Sequence, residues 1–361
     1  MMKMTMRYYG KNNDPVKIEY IRQVPGISGV VGALFDVPVG EVWPMDKILE
    51  MKKEVTDHGM ELEVIESVNV HEDIKLGLPT REKYIENYKE TIRRLAKIGI
   101  KVICYNFMPV FDWMKTEMAY PLEDGSTTMA FFKAGVEKSP EEVAQEVLSK
   151  NKETILPGWE PERLTHVTQL IKQYEGITED NLRENLKYFL EKIIPVCEEV
   201  NIKMGIHPDD PPYSIFGLPR IVKNRDDLDL ICKMVDSPYN GITFCTGSIG
   251  EDPDNNLIAT IAEFAKRDRI PFAHIRNVKF INDGKGEKDC YESAHYTPYG
   301  SHDMFRIMEA LYDNGFNGYI RPDHGRMIWG ETGRPGYGLY DRALGAMYLT
   351  GIWESLEKRG K

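Results

Sequence analysis

A chain of 361 residues with 42% apolar and 29% charged residues can bury a large core, which excludes a disordered polymer. Its net charge of −11 excludes a broad basic face for DNA or RNA, while a local positive pocket could still take a small anionic substrate. No run approaches the roughly 18 to 20 apolar residues of a membrane span, no secretory leader pattern is present, and the five cysteines are scattered; a cytoplasmic protein is expected.

Strand-like runs alternate with helical patterns along the chain. Strands are predicted over residues 5–9, 29–34, 61–66, 101–107, 203–207, 241–245, 271–274 and 318–322. Helices are predicted over 16–23, 44–58, 81–98, 179–199, 226–235, 254–266, 304–314 and 340–357. Strict alternation predicts one α/β domain over 1–361, a (β/α)8 TIM barrel, since closure leaves no exposed parallel edge. Gly59, Gly99 and Gly315 stand just past helices, where a left-handed cap favours glycine. After the fourth strand, residues 108–178 insert roughly 70 residues where a βα loop has about 2 to 6. Ser139-Pro140-Glu141-Glu142 reads as a capping box and 162–174 as a second helix. A long helical insertion is therefore expected, acting as a lid or dimerisation arm, with a surface elaboration as the alternative.

Four residues able to bind a transition metal close separate apolar runs: His207, Cys245, His274 and Asp323. Consecutive parallel strands would bring them to one barrel mouth, the face where such barrels carry their chemistry. A lone buried thiol or histidine is usually scaffold; four at adjacent strand ends are not so easily explained. This mixed set of soft and hard donors suits Mn²⁺, Fe²⁺ or Zn²⁺. Mn²⁺ or Fe²⁺ could keep positions open for substrate oxygens, whereas tetrahedral zinc would be closed and structural. The same strand ends and loops carry Arg7, Tyr8, Glu66, His71, Asn106, Arg276, Asn277, His295, His302, Arg321, His324 and Tyr337. Buried arginines there require an anion, either a protein carboxylate or a substrate.

The stretches Asn13-Asp14-Pro15-Val16, His71-Glu72-Asp73-Ile74-Lys75 and Cys104-Tyr105-Asn106-Phe107-Met108-Pro109 resemble the mannonate dehydratase family, on a xylose-isomerase-like barrel. So do Gly205-Ile206-His207-Pro208-Asp209-Asp210-Pro211-Pro212, Phe244-Cys245-Thr246-Gly247-Ser248, Glu292-Ser293-Ala294-His295 and Arg321-Pro322-Asp323-His324-Gly325. The resemblance spans nearly the whole chain and is weakest in the insertion. It implies a hydro-lyase of hexuronate catabolism that uses Mn²⁺ or Fe²⁺ to dehydrate D-mannonate to 2-dehydro-3-deoxy-D-gluconate. It also implies metal ligands at His207, Cys245, His274 and Asp323, and acid–base groups at His324 and Tyr337, with Asp323 orienting its neighbour. Arg7, His71, Asn106, Arg276, His295 and Arg321 are the expected substrate contacts, and a homo-oligomer, a dimer, is expected. Phe35-Asp36 departs from the paired histidines expected of some members. The alternative is a metal-dependent sugar isomerase or epimerase of the same superfamily. Such an enzyme would carry a carboxylate-rich ligand set, against which Cys245 speaks.

Overall fold

The structure, a computed structural model, describes residues 2–136, 142, 167–281 and 288–359. Twelve strands are described: β1 Lys3–Arg7, β2 Ile27–Gly32, β3 Glu61–Glu66, β4 Val102–Tyr105, β5 Glu117–Pro121, β6 Thr127–Phe131, β7 Lys203–Ile206, β8 Asn240–Cys245, β9 Phe272–Ile275, β10 Asn277–Phe280, β11 Cys290–Ser293 and β12 Tyr319–Pro322. Eight of them, in the order β1-β12-β9-β8-β7-β4-β3-β2, form a closed barrel, and these are the eight strands predicted.

Closure follows from the apolar strands, which are buried on both faces and need helices outside them. Leu62, Ile103, Met204, Ile242 and Ile320 join helix residues such as Ile48, Leu95, Phe189 and Leu311 in one continuous core. The predicted caps hold: Gly59, Gly99 and Gly315 sit at φ 68°, 86° and 78°, where a side chain would be strained. At Gly205 space is the constraint, since a Cβ there would come within 2.5 Å of Thr243 Oγ1.

The insertion departs from its expected all-helical form. Its described part includes the helix Val167–Gln173, but it opens with the hairpin β5–β6. Asp124-Gly125 turns that hairpin, with Gly125 at φ 82°, a strong hairpin signal in the sequence. The helix expected from Ser139 lies outside the described residues. β5 and β6 join β11 and β10 in a four-stranded antiparallel sheet. The insertion is thereby stitched to the segment that follows β9. Among the described residues no helix is long and apolar enough to cross a membrane.

Candidate active site

Register places the site. Cys245 on β8 lies opposite His274 on β9, and His274 opposite Arg321 on β12. Asp323, two residues beyond Arg321, returns to the same face by the alternation of a strand. The ligand atoms of His207, Cys245 and His274 all lie within 4.8 Å of one another. Asp323 completes the group, with Oδ2 at 3.5 Å from Cys245 Sγ and Oδ1 at 3.7 Å from His274 Nδ1. The four predicted ligands therefore converge.

The hydrogen-bond network assigns the ring proton of His207. His207 Nδ1 is 2.7 Å from the Pro208 carbonyl, which only accepts, so that nitrogen carries the proton. His274 Nε2 faces Glu66 Oε2 at 3.3 Å, and neither atom makes a hydrogen bond among the described residues. Burial depresses both rings, and His274 falls to about 4, so both are neutral. His207 Nε2 and His274 Nδ1 lie 3.2 Å apart, so either His274 donates to His207 or both nitrogens turn lone pairs toward a shared cation. The second arrangement, with the far nitrogens at the Pro208 carbonyl and beside the Glu66 carboxylate, is how metal-binding histidines are held. The Cys245 thiol, pushed up to about 12 by burial, would be deprotonated only by such an ion. Ser248 donates to the sulfur from its amide at 3.4 Å and its hydroxyl at 3.1 Å. The donor set thus fits a divalent ion.

A second grouping, Glu66, Cys104 and His274, is also tight enough for an ion. It shares His274 with the first grouping, which alone has the Asp323 carboxylate against both its thiol and its imidazole. The first grouping is the better site.

Above the ligands opens a cleft walled by Arg7, Asn106, His207, Arg321, Asp323, His324 and Tyr337 among others. His324 Nε2 lies 2.9 Å from the Tyr337 hydroxyl. Burial raises Tyr337 well above its ordinary range, so it keeps its proton. Burial also pushes Asp323 up, but His324, Arg321, His274 and Arg276 together hold it well below the usual carboxylate range. Arg321 reaches Asp323 Oδ1 at 2.7 Å.

Three of the expected substrate contacts are elsewhere. Arg276 is buried behind the cleft, bound to Asp210 at 2.6 Å and Glu292 at 2.5 Å; its anions are protein carboxylates, the other option the sequence offered. His295 is buried with Nε2 2.9 Å from the Ile275 carbonyl. His71 caps the short helix Glu72–Lys75 and stacks on Tyr84 with centroids 3.7 Å apart. Of the other polar residues, Tyr8 donates to Glu54 and His302 pairs with the Gly250 carbonyl.

Asp210, Trp113 and Asp112 line the cleft and were not singled out in the sequence, nor was Glu292 behind His324. Asp210 stands in a conspicuous Asp-Asp-Pro-Pro run, a signal that could have found it. Glu292 opens the Glu292-Ser293-Ala294-His295 stretch, which carries the resemblance but marks no role for the carboxylate.

The family model for D-mannonate dehydratase (UxuA) matches residues 2–361. The chain is 63% identical over 357 residues to a mannonate dehydratase of Lactococcus lactis subsp. cremoris, covering 99% of each chain. The crystal structure of mannonate dehydratase from Streptococcus suis serotype 2 superposes with TM-score 0.89 at 44% identity, covering 100% of this chain and 96% of that one. A xylose isomerase domain protein from Planctomyces limnophilus, at TM-score 0.54 and 12% identity over 99% of each chain, shares the fold. The chain belongs to the D-mannonate dehydratase family.

Proposed function

We propose that this protein is a hydro-lyase that dehydrates D-mannonate to 2-dehydro-3-deoxy-D-gluconate, with Mn²⁺ or Fe²⁺ held by His207, Cys245, His274 and Asp323. The observation that carries the reading is one cleft with a divalent-ion donor set beneath it and a directly bonded imidazole–phenol pair, His324 and Tyr337, on its wall. Bound there, the ion would supply Lewis-acid stabilisation to the carboxylate and α-hydroxyl oxygens of the sugar acid.

The chain's own groups supply the rest. Dehydration takes a proton from the carbon bearing the carboxylate and returns one to the departing hydroxyl of the next carbon. His324 and Tyr337 can accept one proton and deliver the other, and their 2.9 Å bond lets the pair reset. Arg7 spends one hydrogen bond on the Val31 carbonyl and turns toward the cleft, where it can bind the substrate carboxylate. Asn106 accepts the Met108 amide through Oδ1, which leaves its NH₂ for a substrate hydroxyl. Asp112 and Trp113, both in the insertion, wall the cleft and support the lid role.

A homodimer belongs to the same reading. Tyr340, Leu344 and Met347 form an exposed stripe on the last helix, beside Trp329, which is 73% exposed. Trp329→Glu should shift a dimer to monomer in light scattering. A reducing cytoplasm suits five free, buried thiols. The test of function is incubation with Mn²⁺ and D-mannonate, or its C2 and C3 epimers, followed by assay for a 2-keto-3-deoxy acid. Formation from mannonate bears the reading out; isomerised sugars instead would favour the epimerase alternative.

A further inference from the structure

We infer that Glu292 is a positioning residue for the acid–base pair: it fixes His324 as the Nδ1–H tautomer, so that the Nε2 lone pair meets the Tyr337 hydroxyl. The inference rests on the roles given above to His324 and Tyr337.

Both oxygens of Glu292 approach His324 Nδ1, at 2.9 and 3.1 Å. The Glu292 carboxylate is buried, and although burial pushes it up, His324 and Arg276 keep it below its ordinary value. Arg276 Nη1, which only donates, also lies 3.0 Å from this nitrogen, but its shorter bond is to Glu292 Oε1; with both carboxylate oxygens, which only accept, turned to Nδ1, the proton is assigned to Nδ1. In the neutral ring Nε2 is then the acceptor, and the Tyr337 hydroxyl donates to it across 2.9 Å. Arg276 Nη1 bonds the same Glu292 oxygen at 2.5 Å, which keeps the carboxylate from rotating away. Glu292 does not line the cleft, so it acts through the imidazole alone.

The added sheet explains how Glu292 is held there. It sits on β11, which pairs with β6 of the insertion, and Thr128 donates to the Glu292 carbonyl at 2.8 Å. The same hairpin braces the phenol. Thr127 bridges to Met327, and Met129 packs so closely under Gly336 that a Cβ there would come within 2.4 Å of its methyl. One element outside the barrel thus supports both partners of the pair, and this is a role for the first part of the insertion.

The test uses the full chain with ¹⁵N-labelled histidine, loaded with diamagnetic Zn²⁺, and His324→Gln to assign the His324 ring among eight histidines. The wild type should show the proton on Nδ1 of His324, and Glu292→Gln should lose that signature. With Mn²⁺ and mannonate, E292Q should lower kcat about 10²-fold with KM and metal content little changed, and Glu292→Asp should recover most of the loss. An Nε2–H ring in the wild type, or unchanged kcat in E292Q, overturns the inference. If the wild type leaves mannonate untouched, the substrate reading fails by itself, and the ring signature alone decides the tautomer.

Discussion

His207 Nε2 and His274 Nδ1 face each other at 3.2 Å, while the far nitrogen of one ring lies on the Pro208 carbonyl and that of the other beside Glu66. That arrangement suits a cation between the rings, and Glu66 would then orient a ligand without touching the ion. Glu66→Gln should therefore weaken divalent binding about 10- to 100-fold, the usual effect of losing a partner that orients a ligand. Isothermal titration with Mn²⁺ checks this; unchanged affinity would mean that His274 is oriented by packing alone.

Arg276 is the hub of the buried charges, touching Asp210 and Glu292 while its Nε lies 3.5 Å from Asp323. Arg276→Ala would leave several buried carboxylates without their cation, a loss of about 3 to 5 kcal/mol or more. Urea denaturation of the metal-loaded protein measures it. A loss under about 1 kcal/mol, the scale of an exposed pair, would show the network to be solvated.

Glu251 gives a pH signature. Burial and the neighbouring Asp210 raise its carboxyl from 4.5 to about 7, despite the Lys115 ammonium beside it. A group whose folded value is raised contributes stability below its unfolded value and loses it as pH climbs through the folded one. Glu251→Gln carries no such titration. Its melting temperature relative to wild type should rise between about pH 4.5 and 7 and then level off. A difference that is flat with pH, or falls, would contradict the raised value.

The barrel was legible because each of its strands is a short apolar run closed by turn residues, and because glycines such as Gly59 and Gly99 mark where helices stop. The convergence of His207, Cys245, His274 and Asp323 was legible for a related reason: each ends a strand, and parallel strands in register align their ends. The antiparallel sheet was not, because β6 must find β11 far along the chain, a pairing that no local pattern announces. Its hairpin turn at Asp124-Gly125 was readable and was passed over in favour of helices. Arg276, His71 and His295 stand in the right loops, but residue type does not tell an outward side chain from one turned into a carboxylate cluster, a helix cap or a carbonyl. Glu292 matters only through what it touches.

Cys245 gives the metal assignment its sharpest chemical mark. Cys245→Ser keeps a hydroxyl near Ser248 and Asp323 but removes the soft donor, so binding of Mn²⁺ or Fe²⁺ should fall at least about 10-fold while the barrel stays folded. Circular dichroism and titration on one sample separate the two effects.

The most direct measurement is a titration of the metal-free protein with Co²⁺, followed by near-ultraviolet absorption. One ion per chain should bind with an intense thiolate-to-cobalt band, and that band should vanish in Cys245→Ser and persist in Cys104→Ser. Binding without a sulfur band, or a band that follows Cys104, would contradict the site.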